Sequence, residues 1–269
     1  MVLPRLFKFR ETTVGGPDEP KPFLDHLEDL RWMLVKMVLT LGVGMGTSFA
    51  FRGTLVNIAQ HPLRQIDPGL VTKLQVLGVT DPLMIAFELS FYAGIVLTFP
   101  LLLYFLAQFV LPALTQSEKK YVLPGIAGGF GLFLLGVLFC YYRVLPQTLG
   151  FFFGFAKSLE WTPTWTVRDY FSFVTQMTLA FGLAFELPVA VLVLVQLGFL
   201  SFSFLNRTRS FAIVIILCLA VVIAPTPDIV TFLSLGVPMC LLYEACIWMA
   251  WFLERWRRLK LEAGDARLQ

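Results

Sequence analysis

Runs of about twenty apolar residues constrain this chain more than any other feature, because a backbone surrounded by hydrocarbon must satisfy its own hydrogen bonds, and only helices and closed barrels do so. Five such runs occupy Trp32 to Phe51, Pro82 to Leu111, Tyr121 to Tyr142, Asp169 to Phe199 and Ile229 to Phe252. A sixth, Phe211 to Ala224, has 14 residues, about 21 Å of helix, well short of a hydrocarbon core of about 30 Å. The turn Pro225-Thr226-Pro227-Asp228 makes the last two runs antiparallel neighbours. Six spanning helices are therefore expected, the fifth short enough to thin the bilayer beside it. Composition agrees: with 57% apolar and 14% charged residues among 269, and a mean hydropathy of +0.76, too little polar surface exists to cover a water-soluble globule. A disordered or nucleic-acid-binding chain is excluded on the same ground.

Charge sets the orientation. Of the 21 Lys and Arg residues, fifteen fall on the side of the amino terminus and six on the other, which puts both termini in the cytoplasm by the positive-inside rule. Residues 1–22 form a cytoplasmic tail, 23–253 the six-helix domain and 254–269 a basic cytoplasmic tail. Arg255 to Lys260 could hold anionic lipid, although an ordinary positive-inside anchor accounts for such a cluster. The two outer connections, Arg52 to Asp81 and Arg143 to Arg168, are long and cap the outer face with further protein, the second carrying interfacial aromatics such as Phe151, Trp161 and Trp165. Gly42 with Gly46, and Gly125 with Gly129, are spaced for close helix contact. Cys140, Cys218, Cys240 and Cys246 lie inside apolar runs without C-x-x-C spacing, so they read as packing residues rather than a disulfide framework. The two histidines, His26 and His61, leave almost no room for a His-based metal centre, and no metal or cofactor is expected. The amino terminus has no uninterrupted apolar stretch of signal-peptide length before Pro17.

A few residues do not belong in lipid. Glu186, in AFGLAFELPVAVLVL, sits midway through the fourth run, where a carboxylate costs about 2.5 kcal/mol or more. Protonation, a polar partner on another helix or a water-filled concavity would lower that cost. Pro188 bends the same helix and frees carbonyls near the same depth. Glu244 lies about two turns from the cytoplasmic end of the last run, near enough to reach the interface. Glu88, two turns beyond Asp81 and Pro82, reads as structural near the outer interface. In FLDHLEDLRWML, Asp25, Glu28 and Asp29 fall on one helical face and Leu27, Leu30 and Leu34 on another. That acidic ridge suits a cation, unless Arg31 and a helix N-terminus already satisfy it.

Taken together, these residues resemble the TatC family, the large membrane subunit of the twin-arginine protein translocase. HLEDLR (His26 to Arg31, with Leu30) resembles its amino-terminal motif. Pro112-Ala113-Leu114 followed by Glu118-Lys119-Lys120 resembles its first cytoplasmic loop. Tyr170 to Val189 is similar to its fourth helix, and PTPD (Pro225 to Asp228) with Pro238, Tyr243 and Glu244 to its last hairpin. The resemblance implies an all-α integral membrane protein, a concave groove-shaped bundle of six helices with short fifth and sixth members and both termini inside. It implies a subunit that recognises signal peptides bearing two consecutive arginines and, with TatA-type and TatB-type single-span partners and by self-association, exports folded proteins across the bacterial plasma membrane using the proton-motive force. The family's recognition acids map onto Asp29 and Glu118, with Glu28 adjacent, and its intramembrane glutamate onto Glu186. Asp29 stands where the family motif has Glu, and Glu88 where Lys is common.

Other functions are weighed against this. A proton-coupled secondary transporter could use Glu186 beside Pro188 as its coupling site, but a three-plus-three split pairs the second helix, with Pro100, with a fifth helix lacking internal Pro or carboxylate. An intramembrane hydrolase would need a nucleophile and base in reach, and both histidines lie outside the spans. The chain is expected not to be an enzyme.

Overall fold

The computed structural model describes residues 23–110, 122–196, 200–223 and 228–265, and is helical throughout apart from short connections. The first span is α1 (Phe23–Ala50), followed by α2 (Arg52–Ile66) and α3 (Pro68–Thr72). The second span is α4 (Asp81–Val110). The third comprises α5 (Val122–Phe139), a π-helical turn (Cys140–Val144) and α6 (Leu145–Ser158). The fourth comprises α7 (Val167–Ala184) and α8 (Leu187–Gln196). The short α9 (Phe202–Arg207) leads to α10 (Arg209–Ile223) and then α11 (Ile229–Asp265). Five stretches, within α1, α4, α5–α6, α7–α8 and α11, are long and apolar enough to cross a membrane, and α10 is a shorter apolar helix. The expected short fifth apolar helix is thus observed, with 15 described residues.

Two boundaries differ from the sequence reading. The third span does not end at Tyr142 in a loop: helix continues to Ser158, and Phe151 to Phe153 lie on it. Pro146 lacks an N–H and would break an α-helix here. The wide turn before it absorbs the fault, with the Leu145 N–H reaching back to the Cys140 carbonyl. The last helix is not short either. It runs for 37 residues, because WFLERWRRLKLEA contains no Pro or Gly to stop it, and residues 254–265 are therefore a helical extension of the span.

Helices meet where glycine removes a side chain. A Cβ on Gly94 of α4 would stand 2.8 Å from the Met45 nitrogen of α1, and one on Gly44 would strike Thr98. A Cβ at Gly42, Gly46 or Gly125 would meet nothing within 4 Å. The contact glycine of α1 is therefore Gly44, between the two that the four-residue spacing picks out, because residues 42 and 46 face away from α4. In the same way Gly136 of α5 lies against Phe181 and Phe185, and Gly182 of α7 against Phe133. Phe133, Phe171, Phe181 and Met177 of α5 and α7 are fully buried, as is Leu63 of α2. Elsewhere α1 presents Val38, Leu39 and Val43 outward, at 68%, 64% and 72% exposure, the surface that lipid covers. Of the cysteines, Cys140 and Cys246 are buried but Cys218 is exposed, so the packing reading does not hold for that residue.

The face opposite the start of α1 is capped as expected. Gln75 forms a parallel bridge with Thr166, through Gln75 N–H to the Trp165 carbonyl (3.0 Å) and Val167 N–H to the Gln75 carbonyl (2.9 Å). The Tyr141 and Tyr170 hydroxyls donate to the Ile58 and Ala59 carbonyls of α2, each at 2.7 Å.

Candidate functional site

Pro188 shapes the centre of the bundle. It has no N–H for the Ala184 carbonyl, so α7 stops at Ala184 and α8 restarts at Leu187, with the proline in the first turn where the missing donor costs nothing. A tight turn bridges the break: Glu186 N–H donates to the Leu183 carbonyl (3.1 Å), and Ala190 N–H to the Glu186 carbonyl (3.0 Å). Glu186 sits on this break, as the bend at Pro188 leads one to expect. Its carboxylate lies over Gly129 of α5, where a Cβ would stand 3.2 Å from Oε2 and 3.1 Å from Cδ1 of Leu103 on α4. The bare glycine backbone makes room for the acid in the seam of α4, α5 and the broken fourth span. Gly129 is thus a residue whose helix-contact spacing was legible in the sequence but whose neighbour was not. Glu186 Oε1 is buried and meets no hydrogen-bond donor among the described residues. An oxygen so placed is costly unless protonation, water or an incoming group satisfies it. Below it, Phe99 and Phe133 stack with ring centroids 3.6 Å apart.

A second carboxylate within the spans is fully engaged. Glu88 of α4 accepts hydrogen bonds from the Ser172 and Thr175 hydroxyls of α7, each at 3.0 Å. It is a strut between two spans, in keeping with the structural reading. Its partners were hidden because their hydroxyls lie 84 and 87 residues away in sequence.

The remaining sequence candidates fall in different places. Glu28, Asp29 and Arg31 are exposed in the first turns of α1, and Leu30 is half-buried. His26 belongs to the same helix. Glu118, Pro112 and Pro225 lie outside the described residues. Asp228 caps α11, its Oδ1 accepting from the Val230 and Thr231 N–H groups at 3.0 and 2.8 Å. Glu244 does not join Glu186: it pairs with Arg209 of α10 at 2.5 Å. Nearby, the Tyr243 hydroxyl donates to the Leu205 carbonyl (2.9 Å), and Glu254 Oε1 accepts from the Phe202 N–H of α9 (2.6 Å). These three contacts tie α11 to α9 and α10. Neither Arg209 nor Phe202 is marked as a partner by any local pattern in the sequence.

Comparison with known proteins gives one consistent result. A family model described as Sec-independent protein translocase protein (TatC) matches residues 25–238. The Sec-independent protein translocase protein TatC of Akkermansia muciniphila is 48% identical over 189 residues, 70% of this chain and 54% of that relative. Its counterpart in Aquifex aeolicus is 34% identical over 229 residues, 85% of this chain and 94% of the relative. The chain therefore spans about half the length of the first and nearly all of the second. A crystal structure of the twin arginine translocase receptor TatC superposes with a TM-score of 0.76 at 34% identity, covering 84% of this chain and 98% of that one. With these matches on the six-helix frame and its broken fourth span, the chain belongs to the TatC family of Sec-independent protein translocase proteins.

Proposed function

We propose that this multi-pass membrane protein is the signal-peptide-recognising subunit of a twin-arginine translocase in a bacterial plasma membrane, with both termini in the cytoplasm. The observation that carries the reading is the exposed pair Glu28 and Asp29 in the first turns of α1, at the end of a span where carboxylates can meet an arginine pair in bidentate geometry. Asp29 and Glu118 hold the two arginines, with Glu28 as the auxiliary carboxylate. The apolar part of the signal peptide then lies along α4 and the broken α7–α8 span. TatA-type and TatB-type single-span helices are recruited beside Glu186, whose unsatisfied Oε1 offers an acceptor to a polar group on an arriving helix, and self-association completes the complex. Export of folded cargo draws on the proton-motive force, and no covalent step is involved. The solved neighbour described as a twin arginine translocase receptor supports this role.

The test is binding of a twin-arginine signal peptide, and its Lys-Lys version, to the detergent-solubilised protein and to Asp29→Ala and Glu118→Ala variants. Selective Arg-Arg binding, weakened about tenfold or more by either variant, about 1.4 kcal/mol, supports the assignment. Equal binding of the two peptides by folded protein overturns it. A proton-coupled transporter, the competing use of Glu186, gains nothing from the fold: α1, the counterpart of the broken fourth span in a three-plus-three repeat, runs unbroken from Phe23 to Ala50.

A further inference from the structure

Between the last helix and α8 lies an open groove of about 460 Å³, lined by Leu192, Trp248, Met249, Trp251 and Phe252 and offering no polar surface. Trp248 and Phe252 are 67% and 59% exposed, and the Trp248 and Trp251 rings meet edge to face at 6.3 Å. The guanidinium of Arg255 lies over the Trp251 ring, 5.1 Å from its centroid. A planar cation stacked on an indole keeps its N–H edges available for an anion. Among the described residues no carboxylate pairs with it: its neighbour Glu254 is turned to the Phe202 N–H. One end of the groove is therefore cationic and the rest is purely apolar, and it occurs where α11 passes from its apolar run into Arg255, Arg257, Arg258 and Lys260.

We propose that this groove is a binding site for an anionic phospholipid, with an acyl chain against Trp248, Trp251 and Leu192 and the headgroup phosphate on Arg255. The charge pattern selects the occupant. A neutral lipid would leave the stacked guanidinium unused, and a purely apolar helix would leave it facing hydrocarbon without a partner. A phosphate satisfies it through a charge-assisted, bidentate contact. The groove shares α8, through Leu192, with the path given to the signal peptide, but it shares no residue with Glu28, Asp29 or the Glu186 seam, and the lipid test does not depend on that reading.

Brominated acyl chains quench indoles they touch, so the test is tryptophan fluorescence of the full chain in nanodiscs. A minority of brominated phosphatidylglycerol in unbrominated phosphatidylcholine is compared with the converse mixture, and the contribution of the groove is taken by difference against Trp248→Phe/Trp251→Phe. Quenching by the anionic lipid is expected to exceed that by the neutral lipid about fivefold, the weight of one cation at an anionic membrane surface. Arg255→Gln is expected to bring the ratio near one. Lys260→Gln, five residues on in the same basic run, is expected to leave it unchanged. Equal quenching by both lipids overturns the proposal, as does an equal loss in the Arg255→Gln and Lys260→Gln proteins. Protection of the two indoles from both lipids also overturns it, being the result for a groove filled by a second copy or another helix.

Discussion

Alanine at Gly94 tests whether backbone contact sets the crossing of the first two spans. Its Cβ would stand 2.8 Å from the Met45 nitrogen and 3.0 Å from the Met45 Cα, whereas such atoms rest about 3.5 to 4.0 Å apart. Everything in the way is backbone, so no side chain can swing aside, and the helices must part by roughly 0.7 Å at their closest point. Thr98 cannot relieve the strain, because its hydroxyl is bonded to the Gly94 carbonyl at 2.8 Å and its methyl lies against Gly44. Overpacking of this kind costs about 1–3 kcal/mol, and one kcal/mol corresponds to roughly 2–4 °C in Tm for a chain of this size. The Gly94→Ala protein, heated in detergent while the monodisperse fraction is followed, is expected to lose its fold about 2–12 °C below wild type. Gly42→Ala is the control. Nothing lies within 4 Å of a Cβ there, so its Tm is expected to hold or rise slightly. A Gly94→Ala protein as stable as wild type, or an equal fall for Gly42→Ala, would refute the reasoning.

Three further substitutions probe the ties between spans by the same heating assay. Glu88→Ala removes the acceptor of the Ser172 hydroxyl and the inter-helix bond of Thr175, whose hydroxyl keeps the Phe171 carbonyl at 2.8 Å, and is expected to cost about 1–2 kcal/mol, with Glu88→Gln, which keeps an acceptor oxygen, costing less; equal losses would mean that the two hydroxyls do not matter. In a double-mutant cycle of Arg209→Ala and Glu244→Ala, the coupling is expected to be only about 0.2–1 kcal/mol, since the two side chains are 51% and 29% exposed, and a coupling several times larger would mean that the pair is desolvated in the membrane. Tyr170→Phe removes the hydroxyl that holds the Ala59 carbonyl and is expected to cost about 1 kcal/mol, with no loss expected for Tyr142→Phe, whose side chain is 57% exposed.

What the sequence made legible was whatever depends on local pattern. Apolar run length gave the spans and the short fifth helix, and a proline two residues beyond a buried acid gave the break at Glu186. What it hid depends on three-dimensional register. Spacing four apart flagged Gly42 and Gly46, yet contact with α4 falls on Gly44, because the glycine facing a neighbouring helix is decided by the rotation of α1 about its axis. Arg143 to Ser158 read as part of an outer connection because the third apolar run ends before Arg143 and the aromatics beyond it are of the interfacial kind, while the π turn that keeps it helical leaves no mark in composition. The partners of Glu88 and Glu244 lie on other helices, and a single sequence carries no signal for them. Glu28 and Asp29 were legible as an acidic ridge, and their exposure is consistent with that reading.

The cap opposite the start of α1 also bears on the order in which the chain assembles. Its ties are distant in sequence: Tyr141 reaches back 83 residues to Ile58, and Tyr170 reaches back 111 residues to Ala59. The bridge from Gln75 requires Thr166. Contacts of such separation form late, after the intervening chain exists and its loop has been closed. While the polypeptide is being made, α2 and α3 therefore wait for these ties through the insertion of the second span, held meanwhile by local contacts and by packing of α2 on α4. A nascent chain halted before Trp165 has at most one of the three ties, and its lid closes only when the fourth helix begins.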